Sequence, residues 1–537
     1  MTGRISSAGL RARLLDENSG EFALIDVREE GVFCRGHLLF AVCIPLSRLE
    51  LRIRALAPRR SAPVVLCDGG DGLAARAAKV LSGFGYTDVS VLEGGTPAWE
   101  ASGGVLFGGV NVPSKAFGEF VEHREGTPNV SADELKALID SGTDMVVLDS
   151  RPLAEYRRMN IPTGIDCPGA ELAYRVHDVA PDPATLVVVN CAGRTRSIIG
   201  AQSLRNAGIP NRVAALCNGT MGWALAGHAL ETGKDRFAPD PSPDGLKKAL
   251  AAAARVAKRF GVRTIDTATL AQWRNEAETR SLFLLDVRNP EEFAAGHMPG
   301  SVSAPGGQLV QATDRYVGTL RSRLVLIDDN GVRATMTASW LIQMGWPEVV
   351  VLKGGLDDAA ALETGVPEPE VPGLEDAQVE SVKVGALAAA LKAGEATAVD
   401  LATSLEYRAG HIPGAWWAVR ARLGEALANI PGDGTLVFTA TEPALAVLAA
   451  ADAASLTRRP VAALTGGNAA WRAAGGALNT GSEHMACRND DVFYRAYDYE
   501  EGEADIAAKM QEYIDWETGL VAQVERDGTA RFRAFPP

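Results

Sequence analysis

The segment Cys191-Ala-Gly-Arg-Thr-Arg-Ser197 carries the strongest chemical signal in the chain. It follows an apolar run, LVVVN, and precedes a helical pattern, so it predicts a loop between a strand end and a helix start. Such a loop aims the backbone N–H groups of Ala192, Gly193, Arg194, Thr195, Arg196 and Ser197 at one point and adds the positive end of a helix dipole. Arg194 and Arg196 add two fixed charges. Together these favour a thiolate near neutral pH. The same cradle could bind the anionic end of a reactant. A lone cysteine is more often a small buried hydrophobe. An inert core position, however, has no use for a cationic, glycine-bearing loop.

The other candidates are weaker. Seven cysteines, an odd number without CxxC or Cys/His clustering, read as reduced thiols. Cys67 also ends an apolar run and is a candidate second thiol. Its loop, Cys67-Asp-Gly-Gly-Asp-Gly-Leu73, has no arginine, and Asp68 and Asp71 would repel an anionic donor. Cys34, Cys43, Cys167, Cys217 and Cys487 read as packing or incidental thiols. Asp149 and Arg151 are read as a structural ion pair locking a strand to a neighbouring loop. His37, His297 and His411 lie in turns away from Cys191, and Asn160 stands where a fourth would be, so no Cys–His pair is offered.

The elements that position these residues recur four times. Apolar runs end at Asp26, Asp149 and Asp286 and a fourth carries Asp400; about 41 or 42 residues after each Asp a second run ends, at Cys67, Cys191, Asp328 and Thr441. A third run then closes in VSVLEGG, VAALCNG, VVVLKGG or VAALTGG, followed in three repeats by Trp99, Trp223 and Trp471, which are read as packing residues. Val/Leu/Ile runs without alternation predict parallel strands buried on both faces. Helical segments ending in glycine separate them, giving small α/β units of about 100 residues. The expected boundaries are 1–108, 127–235, 262–366 and 378–480, with a non-matching helical extension over 481–537.

These marks resemble the rhodanese domain: Asp-x-Arg after the first strand, a Gly-His-Ile-Pro-Gly-Ala turn (literal at Gly410–Ala415), a loop after the central strand and a closing Gly-Gly turn. The layout is similar to bacterial multi-rhodanese thiosulfate sulfurtransferases, including a C-terminal Tyr-x-Asp-Trp-Glu at Tyr513 to Glu517. The resemblance implies four tandem parallel-sheet domains and a Cys191 persulfide. Sulfur would pass from thiosulfate to a thiophilic acceptor, such as cyanide, a thiol or a protein cysteine, with no metal or organic cofactor. It also implies pairing of repeats 1 and 2, with the reactive cysteine in the second, and of repeats 3 and 4. Repeats 3 and 4 offer Asp328, and Thr439, Ala440 or Thr441, at the loop, so neither can form a persulfide.

Three other readings compete. The loop matches neither the usual thiosulfate nor the usual 3-mercaptopyruvate pattern, so the donor is open. A phosphatase or arsenate reductase loop resembles Cys, five residues, then Arg; here Arg196 is itself the fifth residue after Cys191, leaving a pocket too small for phosphate. A sulfur carrier or scaffold would hold a stable persulfide without turnover. A net charge of −14 disfavours nucleic acid and anionic membrane surfaces as partners. No run reaches the roughly 18 to 20 apolar residues of a membrane span. The N-terminal segment meets Asp16 and Glu17 before any signal-peptide core, so the expected compartment is the cytoplasm.

Overall fold

Valine, leucine and isoleucine runs without polar alternation form strands covered on both faces. Leu186–Asn190 is buried at every position, as is Phe22–Asp26. The computed structural model describes residues 2–357, 361–499, 502 and 504–536. Its second repeat orders its strands Asn129–Val130, Val213–Leu216, Leu186–Asn190, Met145–Asp149, Ile165–Asp166, all parallel. Repeats 3 and 4 repeat that order, with central strands Arg323–Ile327 and Thr435–Thr439. In repeat 1 the strands Gly3–Ile5, Val89–Leu92, Val64–Cys67, Phe22–Asp26 and Val42–Cys43 follow the same parallel sequence. The architecture is therefore four parallel-sheet α/β units flanked by helices, with a helix at the C-terminus, Ile506–Asp527.

The chain forms two compact units, and their membership corrects the expected pairing of repeats. One unit comprises Met1–Leu10, Ala23–Val110 and Glu368–Asp498, which joins repeat 1 with repeat 4. The other comprises Arg11–Phe22, Asn111–Pro367 and Tyr499–Pro537, which joins repeat 2 with repeat 3 and with the C-terminal helix. Sequence adjacency suggested 1 with 2 and 3 with 4; side-chain complementarity decides otherwise. In the second unit the helices Thr195–Ala207 and Val332–Gln343 belong to one core. Ile198 and Ile199 pack with Ala334, Ala338 and Leu341. The Trp340 indole N–H donates to Ser203 Oγ at 2.7 Å, and Arg333, wholly buried, reaches Glu171 at 2.9 Å.

Two further helices of this unit matter for the loop at Cys191. Val112–Glu125 precedes repeat 2 and packs against both Thr195–Ala207 and Ile506–Asp527. A side chain at Gly118 would press on Thr195, so glycine there lets this helix approach the loop. Among the described residues no helix is long and apolar enough to cross a membrane.

Candidate active site

The strand Leu186–Asn190 delivers Cys191 to its end, and the helix Thr195–Ala207 starts four residues later. Cys191 is 2 % exposed, with its Sγ 2.9 Å from Ser197 Oγ. The loop is held by the following glycine turn: Thr220 N–H donates to the Cys191 carbonyl at 2.9 Å and Met221 N–H to the Ala192 carbonyl at 3.0 Å. Asn218 and Gly219 both have positive φ, 58° and 55°. A Cβ on Gly219 would collide with the Cys191 carbonyl oxygen. Gly95, Gly355 and Gly467 meet the carbonyls of Asp68, Asp328 and Ala440 in the same way. The close approach of backbone to backbone is what the recurring glycine turn is for.

That contact also defines equivalent positions, and it corrects the reading of Cys67. Cys191, Asp68, Asp328 and Ala440 occupy one place in the four repeats. The register agrees: Asp26 pairs with Cys67, Asp149 with Asn190, Asp286 with Ile327 and Asp400 with Thr439. Cys67 is thus a strand residue matching Asn190, one position short of the loop. It is fully buried, and its thiol faces the Ile25 carbonyl at 3.5 Å. Burial, reinforced by Asp26, pushes it well above the ordinary thiol range. In repeats 1 and 3 the loop position holds a carboxylate that takes the backbone N–H groups itself. Asp68 accepts from Gly70 and Ala74, both at 2.9 Å, and Asp328 from Gly331 at 2.6 Å and Ala334 at 3.1 Å.

Both loop arginines are engaged. Arg194 binds Glu119 through Nε at 2.6 Å and Nη2 at 2.8 Å, pairs with Glu122, and donates to Asn218 Oδ1 at 3.1 Å. Arg196 makes a two-pronged pair with Glu155, at 3.0 and 2.8 Å, and reaches Gln308 at 3.1 Å. Burial opposes the charge on each arginine, but the glutamates outweigh it and hold both guanidiniums above their ordinary range. Arg196 also has a counterpart in repeat 3. Arg333, five residues after Asp328, binds Glu292 as Arg196 binds Glu155.

The C-terminal helix supplies groups that no repeat contains. Glu517, wholly buried, accepts from Thr195 N–H at 3.2 Å and from the Thr195 hydroxyl through Oε1, with Lys115 Nζ 3.5 Å away. A Cβ built on Gly193 would lie 3.0 Å from Tyr513 Cε1 and 3.3 Å from Glu517 Oε2. Gly193 is therefore where this helix meets the loop. Lys115 lies 5.4 Å from the Tyr513 ring centroid. Burial, then Glu517 and Cys191, push the Tyr513 hydroxyl well above its usual range. Sequence reading attached no chemistry to Tyr513 or Glu517. The available signals were the Tyr-x-Asp-Trp-Glu mark that they bound and their spacing of four on a helix, which puts a carboxylate and an aromatic ring on one face.

Asp149 and Arg151 sit beneath the loop. Arg151 Nε and Nη2 reach the Asp149 carboxylate at 2.8 and 2.7 Å, and Nη2 also binds the Met159 carbonyl at 2.6 Å. Asn190 Nδ2 donates to Asp149 at 2.9 Å, tying the central strand to its neighbour. His37, His297 and His411 stack on Phe33, Phe293 and Tyr407 within their own turns. Trp223 is fully buried with its N–H on the Ala229 carbonyl, which makes it a core residue.

The rhodanese-like domain model matches residues 10–102, 131–226 and 266–361. The chain belongs to the rhodanese family. The fourth rhodanese unit lies outside those matches, yet its strands have the same order. A thiosulfate sulfurtransferase from Pseudomonas aeruginosa is 47 % identical, with 99 % of this chain and 100 % of that one covered at a TM-score of 0.93. A sulfurtransferase from Allochromatium vinosum is 30 % identical over 95 residues, 18 % of this chain and 85 % of the relative. A TBC domain-containing protein kinase-like protein from Gallus gallus is 29 % identical over 110 residues, 18 % of this chain, which spans only 12 % of that relative. This rhodanese is a sulfurtransferase enzyme.

Proposed function

We propose that the enzyme moves sulfane sulfur from thiosulfate to a thiophilic acceptor through a persulfide on Cys191. The thiolate attacks the outer sulfur of thiosulfate, a new S–S bond forms, the original S–S bond breaks, and sulfite leaves with its electron pair. The acceptor, cyanide or a thiol, then attacks the outer persulfide sulfur and the Cys191 thiolate is regenerated. This is double displacement, so ping-pong kinetics are expected. The backbone N–H groups of Ala192, Gly193, Arg194, Arg196 and Ser197 stabilise charge on the transferring sulfur; that of Thr195, expected to join them, is taken by Glu517. Arg194 and Arg196, through their carboxylate partners, hold the loop in shape.

One observation carries the reading. At the position where repeats 1 and 3 place an aspartate on the loop N–H groups and repeat 4 places Ala440, repeat 2 alone places a thiol. Thiosulfate as donor is taken over from the Pseudomonas relative's name. All seven cysteines are free, in keeping with a reducing compartment, and we place the enzyme in the cytoplasm with small-molecule or protein thiols as acceptors. The test is thiocyanate formation from thiosulfate and cyanide, with 3-mercaptopyruvate as parallel donor, by wild type, Cys191→Ala and Cys67→Ala. Loss in Cys191→Ala alone is the expected result. Activity surviving in Cys191→Ala would overturn it.

A further inference from the structure

Repeats 1 and 3 show what the loop backbone does when no sulfur is needed: it binds a carboxylate. Repeat 2 keeps a thiol at that position and still receives a carboxylate, brought from the C-terminal helix. Glu517 takes the Thr195 N–H, leaving its other oxygen, Oε2, buried without a hydrogen-bond partner beside Gly193. A buried carboxylate oxygen in that state costs free energy unless a donor reaches it. The surrounding charges do not favour an incoming anion. Lys115, Arg194 and Arg196 face Glu119, Glu122, Glu155 and Glu517, so carboxylates outnumber cations around the loop.

We propose that Glu517 is a specificity-determining residue of the Cys191 site, which disfavours anionic reactants and receives, at Oε2, an N–H or ammonium group of the thiol that accepts the sulfur. The inference rests on Cys191 as the sulfur-carrying residue. Its substrate class is an aminothiol acceptor, met beside Gly193 by Glu517 and the Tyr513 ring, which share one face of the C-terminal helix. Thiosulfate, a dianion, enters against this carboxylate, so Glu517 raises the donor concentration the enzyme requires.

The test reads charge preference at the thiol without turnover. Cys191 is alkylated with neutral iodoacetamide and with anionic iodoacetate, and the Cys191 peptide is followed by mass spectrometry. Wild type should favour iodoacetamide at least about tenfold more strongly than free 2-mercaptoethanol does, equivalent to roughly 1.4 kcal/mol of charge discrimination. Glu517→Gln should bring that preference back toward the free-thiol value, lower KM for thiosulfate several-fold, and reduce the advantage of cysteamine over 2-mercaptoethanol as acceptor. A wild-type preference equal to that of the free thiol overturns the proposal even if Glu517→Gln fails to fold. So does an unchanged preference in a folded Glu517→Gln. Charge discrimination with no persulfide formed would instead sink the sulfurtransferase reading and leave the selectivity standing.

Discussion

The loops at Cys191 and Asp328 lie in one unit, begin at the end of equivalent central strands and run into helices of the same core. Each is braced by an arginine five residues along, Arg196 on Glu155 and Arg333 on Glu292. They part at one side chain. Asp328 turns its carboxylate onto Gly331 and Ala334, filling the space in front of the helix with an internal anion. Cys191 places no carboxylate there and meets Ser197 instead. The difference teaches that the cradle belongs to the fold and that reactivity depends on what the cradle is left to bind. It also reassigns Arg196, because a brace found in a repeat without a thiol is not evidence for an anionic donor.

The sharpest way to break this comparison is to make the Cys191 loop like the Asp328 loop. Cys191→Asp should abolish thiocyanate formation, by at least about 10³-fold, and lower the thermal midpoint at neutral pH, because the new carboxylate joins buried Glu517 at the loop. An unchanged or raised midpoint would mean that the loop takes a second carboxylate as readily as the Asp328 loop takes its one. The reverse graft, Asp328→Cys in a Cys191→Ala background, should stay below about one-hundredth of wild-type turnover, since repeat 3 has Gly331 where repeat 2 has Arg194. Recovery beyond that would show that a thiol in the loop suffices.

Arg196→Met tests the brace. Removing one partner of this half-buried pair should cost about 1.5 kcal/mol in denaturant unfolding. A large rise in KM for thiosulfate at unchanged stability would return Arg196 to donor binding.

The pH dependence of stability is a smaller effect and belongs to repeat 3. Burial raises the Asp328 carboxyl to about 6, against the lowering by its backbone donors and Arg333. The protonated form is favoured in the fold. Its contribution is therefore fully present below the unfolded carboxylate pKa of about 4 and is lost as pH rises through about 6. Wild type should lose about 1.4 kcal/mol per pH unit across that window from this group. Urea titrations of Asp328→Asn between pH 4 and 7 should lack that component of the slope. Smallest of all, Cys67→Ala should keep activity within about twofold and cost about 1 kcal/mol for the small cavity it leaves.

Much of the site was legible because its signals are local. The apolar runs, the glycine turns and the Cys191 to Ser197 segment each depend on neighbours within a few residues, and all four repeats display the runs and the turns. The recurrence of Glu six residues after Asp149 and Asp286, with Arg five after Cys191 and Asp328, was present in the sequence and would have exposed the brace. The error at Cys67 was one of register. Apolar runs do not show which residue ends the strand, and a shift of one residue moves a thiol from the loop to the core.

The sequence by itself determined the four α/β units, the loop and the thiol within it, because periodicity, turn chemistry and nucleophile type act over short spans of chain. Only the tertiary structure decided that repeat 2 packs with repeat 3, that Arg194 is held by Glu119, and that Glu517 enters the loop 322 residues away from Thr195. Those choices follow from which buried surfaces and charges complement one another in space, and no local pattern encodes that.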